Sequence, residues 1–179
     1  MERLMAACAF AARHHTGQTR KGASRAPYVN HVIEVAARVA TSPAACEDTV
    51  ITALLHDTVE DTRVSEADLI SAFGLRIAAI VMEVTDDKRL DQPTRKALQA
   101  STIGTKSPQA RWIKIADQTA NLADLAAAPP DDWDAARCAG YVDWACRVVD
   151  GARGTDAALE AAFHAQAAET RSALARGGH

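Results

Sequence analysis

Apolar residues recur every three to four positions along almost the whole chain, the period of an amphipathic helix. Leu4, Ala7, Cys8 and Ala11 form one such stripe, which predicts a helix over about Glu2 to His15 with Gly17 as its stop. A second is expected from about Asn30 to Thr41, with Val32, Val35, Ala36 and Val39 inward, until Ser42-Pro43 breaks it. The third runs from about Cys46 to Asp61, with Val50, Ala53 and Leu54 on one side. Ser65 reads as the N-cap of a short helix ending at Gly74. The run from Leu75 to Thr85 has the apolar content of a buried strand, but its alanines and Met82 favour helix. Asp86-Asp87-Lys88 marks a turn. Further helices are expected from about Gln92 to Ile103, from Ser107-Pro108 to about Ala128, from a cap at Asp131 or Asp132 to about Ala152, and from a cap at Thr155 to a frayed end at Gly177-Gly178. Between the first two helices, the segment from Thr16 to Pro27 is a loop carrying Arg20, Lys21 and Arg25.

These elements add up to an all-α bundle of about eight or nine helices. A length of 179 residues suits one domain, with its core over about residues 2–154 and a C-terminal helix over about 155–176. Forty alanines against 4% aromatic residues exclude a sandwich or barrel. A net charge of −3 offers no basic surplus, so nucleic acid is not expected as the main partner. No stretch reaches 18 apolar residues, and no membrane span is expected. The uncharged run from Leu4 to Ala12 is preceded by Glu2 and followed at once by Arg13, so its stripe reads as a surface helix rather than a secretion signal. Four cysteines without CxxC spacing read as free thiols of a cytoplasmic protein.

Ligand-type side chains concentrate in four places: Tyr28-Val29-Asn30-His31, the run from His56 to Asp61, Asp86-Asp87-Lys88, and the run from Asp117 to Leu122. In the second, a continuous helix would put His56 and Glu60 on one face, and Asp57 and Asp61 on a neighbouring one. Its carboxylates repel one another, by ~0.2–0.5 kcal/mol per exposed pair and more with burial. Acidic runs are usually solvated faces, and a lone His-Asp pair is a weak signal. The conjunction is stronger: His31 opens an apolar helix, and Asp117 ends the run Ile113-Lys114-Ile115-Ala116-Asp117. Two histidines and two aspartates form a mixed nitrogen and oxygen set suited to Mn²⁺, Fe²⁺ or Zn²⁺.

The order His31, His56-Asp57, Asp117 resembles the HD superfamily of metal-dependent phosphohydrolases. Gln18-Thr19-Arg20-Lys21, Pro27-Tyr28-Val29-Asn30-His31, the run from Ala53 to Thr62, Glu83-Val84-Thr85-Asp86-Asp87-Lys88, and Ala116-Asp117 with Asn121-Leu122 are similar to the hydrolase domain of RelA/SpoT homologues. The pattern is nearest the small alarmone hydrolases that lack a synthetase, and it covers about Phe10 to Gly154.

That resemblance implies removal of the 3′-pyrophosphate of (p)ppGpp, giving GDP or GTP plus pyrophosphate, with Mn²⁺. It implies His31, His56, Asp57 and Asp117 as metal ligands, and Glu60 and Asp61 as the acidic pair that positions and activates water. Arg20, Lys21, Asn121, Arg137 and Tyr141 match substrate contacts. For Arg137 and Tyr141 the residues alone read equally well as a solvent-facing arginine and a partly buried tyrosine. The partner is therefore expected to be a small nucleotide. Two departures stand out: Gln118-Thr119 replaces a common Lys-Leu, and Gln92 stands where relatives often carry lysine, with Lys88 or Lys96 as substitutes for the missing cation. Two other readings stay open at this point, a nucleotide phosphatase acting on NADPH or another nucleotide, and a guanine-nucleotide sensor without turnover.

Overall fold

The computed structural model describes residues 1–22 and 25–177. Among the described residues the chain forms ten α-helices and no strand. They are α1 (Glu2–His14), α2 (Tyr28–Val39), α3 (Glu47–Leu55), α4 (Thr58–Asp61), α5 (Glu66–Phe73), α6 (Leu75–Val84), α7 (Gln92–Thr102), α8 (Pro108–Ala127), α9 (Ala135–Gly151) and α10 (Ala157–Gly177). A 3-10 turn (Ile103–Thr105) follows α7, and an isolated bridge between Thr19 and Pro27 closes the basic loop. The all-α expectation holds. The expected fraying at Gly177-Gly178 falls partly outside the description, since Gly178 is not among the described residues.

The count exceeds the expected eight or nine because the helix anticipated from Cys46 to Asp61 breaks at His56-Asp57. Side chains take over the carbonyls that would carry it on. The Thr58 hydroxyl donates to the Leu55 carbonyl (2.6 Å), and His56 Nδ1 lies 2.8 Å from the Ala53 carbonyl. Asp57 then sits at φ −99°, ψ −2°, and its carbonyl accepts from the Asp61 amide (2.9 Å) to start α4. Hydrophobic periodicity carries no trace of such local competition for backbone groups.

Other helix boundaries follow from their caps. Ser65 and Asp68 form a reciprocal capping box at α5. Gly74, at φ +89°, ends α5 and starts α6, a backbone geometry that favours glycine. Two expected caps move along the chain. Asp134, rather than Asp131 or Asp132, accepts from the Arg137 amide to start α9. Asp156, rather than Thr155, accepts from the amides of Ala158 (3.0 Å) and Leu159 (2.9 Å) at α10. In both places several polar residues compete, and the one nearest the helix makes the bond.

Helix α8 is the spine of the fold. One of its faces, with Ala110, Ile113, Ala116 and Ala120, closes a core built with α1, α2, α3, α5 and α6. The opposite face, with Trp112, Ile115, Leu122 and Leu125, closes a second core with α9 and α10. Full burial of each large aliphatic side chain is worth ~1.5–3 kcal/mol, so α8 is held from both sides. The Thr170 hydroxyl of α10 donates to the Leu122 carbonyl (2.9 Å), which fixes α10 to the spine. Asp117 and Asn121 therefore project from the most tightly held helix of the molecule.

Candidate active site

Two helices and one helix break bring the four candidate metal ligands together. His31 comes from the buried face of α2, His56 and Asp57 from the break between α3 and α4, and Asp117 from α8. His31 Nε2 lies 3.3 Å from Asp117 Oδ1 and 3.6 Å from Asp57 Oδ2. His56 Nε2 lies 3.1 Å from Asp57 Oδ2 and 3.9 Å from Asp117 Oδ1. One ligand atom each from His31, His56 and Asp117 falls within 4.8 Å of the others, and Asp57 stands beside the two histidines but outside that group.

The imidazoles lie beside the carboxylates without hydrogen-bonding to them. Both ring nitrogens of His31, and Nε2 of His56, are buried with no hydrogen-bond partner among the described residues. Buried polar groups are rarely left so, and an ion is one standard explanation. The Ala53 carbonyl beside His56 Nδ1 selects the tautomer whose Nε2 can bind metal. The Tyr28 hydroxyl donates to Asp57 Oδ2 (2.6 Å), and the Asn121 amide donates to Asp117 Oδ1 (2.7 Å). These residues fit a divalent cation.

Charge is balanced within the cluster. Burial alone pulls the His56 imidazolium down, but Asp57 and Asp117 outweigh it and push the group up to about 9. Burial likewise raises the two carboxyls, yet His56 and His31 hold Asp57 well below the usual carboxylate range. Lys114, with the same imidazoles, does so for Asp117. Bringing in a metal ion must displace the imidazole proton.

The acidic pair is split by the helix break. Glu60 faces the Asp86 turn and accepts from the Asp86 amide (3.0 Å). Burial first, then the neighbouring carboxylates of Asp57 and Asp86, push its carboxyl up to about 7 against the lowering by that amide. Asp61 faces outward and pairs with Lys88 (2.5 Å). Its carbonyl accepts from the Gln18 side chain (2.6 Å), which ties the basic loop to α4. The supposed common faces of His56 with Glu60 and Asp57 with Asp61 are thus replaced by two differently directed groups on either side of a bend.

The candidate substrate contacts divide into two sets. Asn121 joins the ligand cluster directly and Arg20 through it: Asn121 donates to Asp117, and Arg20 donates to Asn121 and to Asp124 (2.7 Å). Lys21, Arg137 and Tyr141 stand further out. Lys21 is exposed on a recess of about 320 Å³ that also involves Thr19, Gly22, Arg25 and Asp131. Arg137 lies over the Trp133 ring (4.7 Å) and 3.4 Å from Asp132. Tyr141 is half-buried between Trp133 and Trp144, with ring centroids at 5.4 and 5.2 Å. Burial first, then the Asp117 carboxylate, raises the Tyr141 hydroxyl above its ordinary value. Gln118 is buried with its amide 3.5 Å from Asp117 Oδ2, and Gln92 lies exposed at the start of α7.

One charged residue escaped the sequence reading. Lys114, almost buried, has its ammonium 3.4 Å from Asp117 Oδ2. Burial lowers it, but Asp117, Asp57, Asp86 and Glu60 together hold it above its ordinary value. Its spacing of three from Asp117 on an apolar helix was the available signal. Replacing Lys114 by methionine is expected to destabilise the metal-free protein by about 3–5 kcal/mol, the cost of stranding a buried partner charge. Added Mn²⁺ should recover part of that loss in urea unfolding.

An HD-domain family model matches residues 7–142. The human guanosine-3′,5′-bis(diphosphate) 3′-pyrophosphohydrolase MESH1 is 43% identical over 162 residues, covering 89% of this chain and 90% of the human protein. The Drosophila melanogaster protein of that name is 42% identical over 159 residues, covering 88% and 89%. A solved structure of a metazoan orthologue of SpoT, described as hydrolysing ppGpp and acting in starvation responses, superposes with a TM-score of 0.89 at 40% identity. That superposition covers 93% of this chain and 94% of the other. A helical fold with a His-Asp cluster, matched by the family model over residues 7–142 and by MESH1 over 89% of its length, places the chain in the HD-domain family, alongside the MESH1 pyrophosphohydrolases.

Proposed function

We propose that the chain is a metal-dependent guanosine-3′,5′-bis(diphosphate) 3′-pyrophosphohydrolase, converting (p)ppGpp to GDP or GTP plus pyrophosphate. The observation that carries this reading is the convergence of His31, His56, Asp57 and Asp117, with imidazole nitrogens left unpartnered. The donor set suits Mn²⁺, and Fe²⁺ or Zn²⁺ after it. A divalent ion held by these four residues supplies charge neutralisation at phosphoryl oxygens and a more acidic water.

The protein's own groups do the rest. Glu60, poised near neutrality, accepts the proton of the attacking water. Asp61, steadied by Lys88 and Gln18, orients that water. Asn121 and Arg20 hold the ribose and 3′-phosphate side, linked to one another and to Asp117. Lys21 offers its charge to the nucleotide from the recess beside it. Arg137 and Tyr141, beside Trp133, are further contacts for the nucleotide. The local cations offset a polyanionic substrate although the whole chain carries −3.

The chain acts as one domain, since α10 shares its core with α8 and α9. We place it in the cytoplasm, a setting that four free cysteines favour. No helix among the described residues is long and apolar enough to cross a membrane.

The test uses the full chain, stripped with EDTA and incubated with ppGpp with and without Mn²⁺. GDP and pyrophosphate, formed only with metal, is the expected result. Orthophosphate as the product would make the site a phosphomonoesterase and redirect the search to NADPH. Tight guanine-nucleotide binding without any product would leave a sensor.

A further inference from the structure

We propose that Lys96 binds the phosphate groups at the 5′ end of the nucleotide, the end remote from the bond that is cut. The proposal rests on the reading of (p)ppGpp as substrate and adds to it the residue that senses the second phosphate chain.

The placement of Lys96 is unusual for a lysine on a helix surface. Its ammonium lies 4.9 Å from the centre of the Tyr141 ring and 4.7 Å from that of Trp144. Its carbonyl accepts from the Trp144 indole (3.0 Å), so α7 is tied to α9 at this residue. The stem is thereby fixed, and little rotamer freedom remains to be lost when an anion arrives. Among the described residues no carboxylate lies within ion-pairing distance of it. Arg20, Lys88, Arg95, Lys114 and Arg137 each have one within 4.0 Å.

Its surroundings are cationic instead. Burial first, then repulsion from Arg137, Lys21 and Arg147, lowers the Lys96 ammonium below its ordinary range. Arg137 lies over Trp133, the next ring of the same aromatic row, so a second cation shares the cluster that holds a half-buried ammonium with no carboxylate partner among the described residues. Such an arrangement is unfavourable on its own, and aromatic faces recover only part of the cost. A phosphate dianion would offset it.

Tyr141 gives this cationic pole its relation to the reaction. Its ring carries Lys96, while its hydroxyl responds to Asp117 and Asp57. On this reading the 3′ end of the substrate lies at the His-Asp cluster and its 5′ phosphates lie at Lys96. A nucleoside bearing phosphates at both its 3′ and 5′ positions has the matching charge pattern. Lys88, the other lysine able to replace a cation at Gln92, is engaged with Asp61.

The experiment compares steady-state hydrolysis of ppGpp with that of guanosine 3′-diphosphate, which lacks the 5′ phosphates, by the Mn²⁺-loaded full chain. Lys96→Met keeps an unbranched stem over the rings and removes the charge. It is expected to lower kcat/KM for ppGpp by about 10–100-fold, chiefly through KM, the range for one charge-assisted hydrogen bond. On guanosine 3′-diphosphate the change should stay under about threefold, because the group lost has no partner there. Lys96→Arg should restore most of the ppGpp activity. Equal losses on both substrates, or no loss on ppGpp, would overturn the assignment of Lys96 while leaving the pyrophosphohydrolase standing. Wild-type protein that releases no pyrophosphate from ppGpp would overturn that underlying reading, and this proposal with it.

Discussion

His56→Ala is expected to release the metal and abolish hydrolysis together. His56 supplies a buried ring whose orientation is set by the Ala53 carbonyl and whose Nε2, beside Asp57, makes no hydrogen bond among the described residues. Without it, three ligands remain, and two of them are carboxylates whose charge was balanced partly by that imidazole. Tyr28→Phe provides the graded comparison, because Tyr28 touches Asp57 only through its hydroxyl. Loss of an outer partner of this kind costs ~10–100-fold in metal affinity or activity. His56→Ala should exceed the upper end of that range, and Tyr28→Phe should fall inside it. Metal content by elemental analysis, with initial rates at saturating Mn²⁺, separates the two. Far-ultraviolet circular dichroism shows whether the truncated side chain, 2% exposed in the wild type, still leaves a folded bundle. Full activity and unchanged metal content in folded His56→Ala protein would refute the site.

What the sequence disclosed, and what it hid, follow from the range of the forces involved. Helix positions are legible because an apolar stripe of period 3.6 reports burial, and burial holds α2, α6 and α8 where that pattern predicts. The break at His56-Asp57 is not legible in the same way. It depends on Thr58 and His56 capturing the Leu55 and Ala53 carbonyls, a competition between groups of similar strength. Identifying the four candidate ligands did not require the break, only their identity and order. Describing how Glu60 and Asp61 point did require it. The sequence names Lys96 as one of two cations able to stand in at Gln92, but the choice between it and Lys88 is not legible there: it depends on α7 meeting α9, a contact between Lys96 and Trp144 that are 48 residues apart. Lys114, three residues before Asp117, was within reach, since an isolated cation on an otherwise apolar helical face calls for a partner at that spacing.

Glu60→Gln is expected to keep the metal and slow hydrolysis by about 10²–10⁴, the range for loss of a general base. Glu60 is not among the four converging ligands, and its carboxylate accepts a hydrogen bond from the Asp86 amide that a glutamine carbonyl oxygen can also accept. The substitution therefore removes basicity with little change of shape. Burial and the carboxylates of Asp57 and Asp86 push Glu60 up to about 7 in the metal-free protein. A base works deprotonated, so kcat/KM should fall as pH drops through that value. The positive charge of a bound ion moves this acid limb downward, to about 7 or below. In Glu60→Gln the limb should vanish, leaving a flat and low profile across the same window. Stability should move in the opposite sense. A carboxyl whose pKa is raised on folding binds more protons in the native state, so it destabilises the fold as pH rises from its unfolded value of 4.5 through about 7. Metal-free Glu60→Gln protein should accordingly resist urea better than wild type at pH 8, and no better at pH 4. An enzyme that loses turnover while gaining stability at the same residue would mark Glu60 as a group kept for its chemistry. Unchanged turnover would assign the base to Asp61.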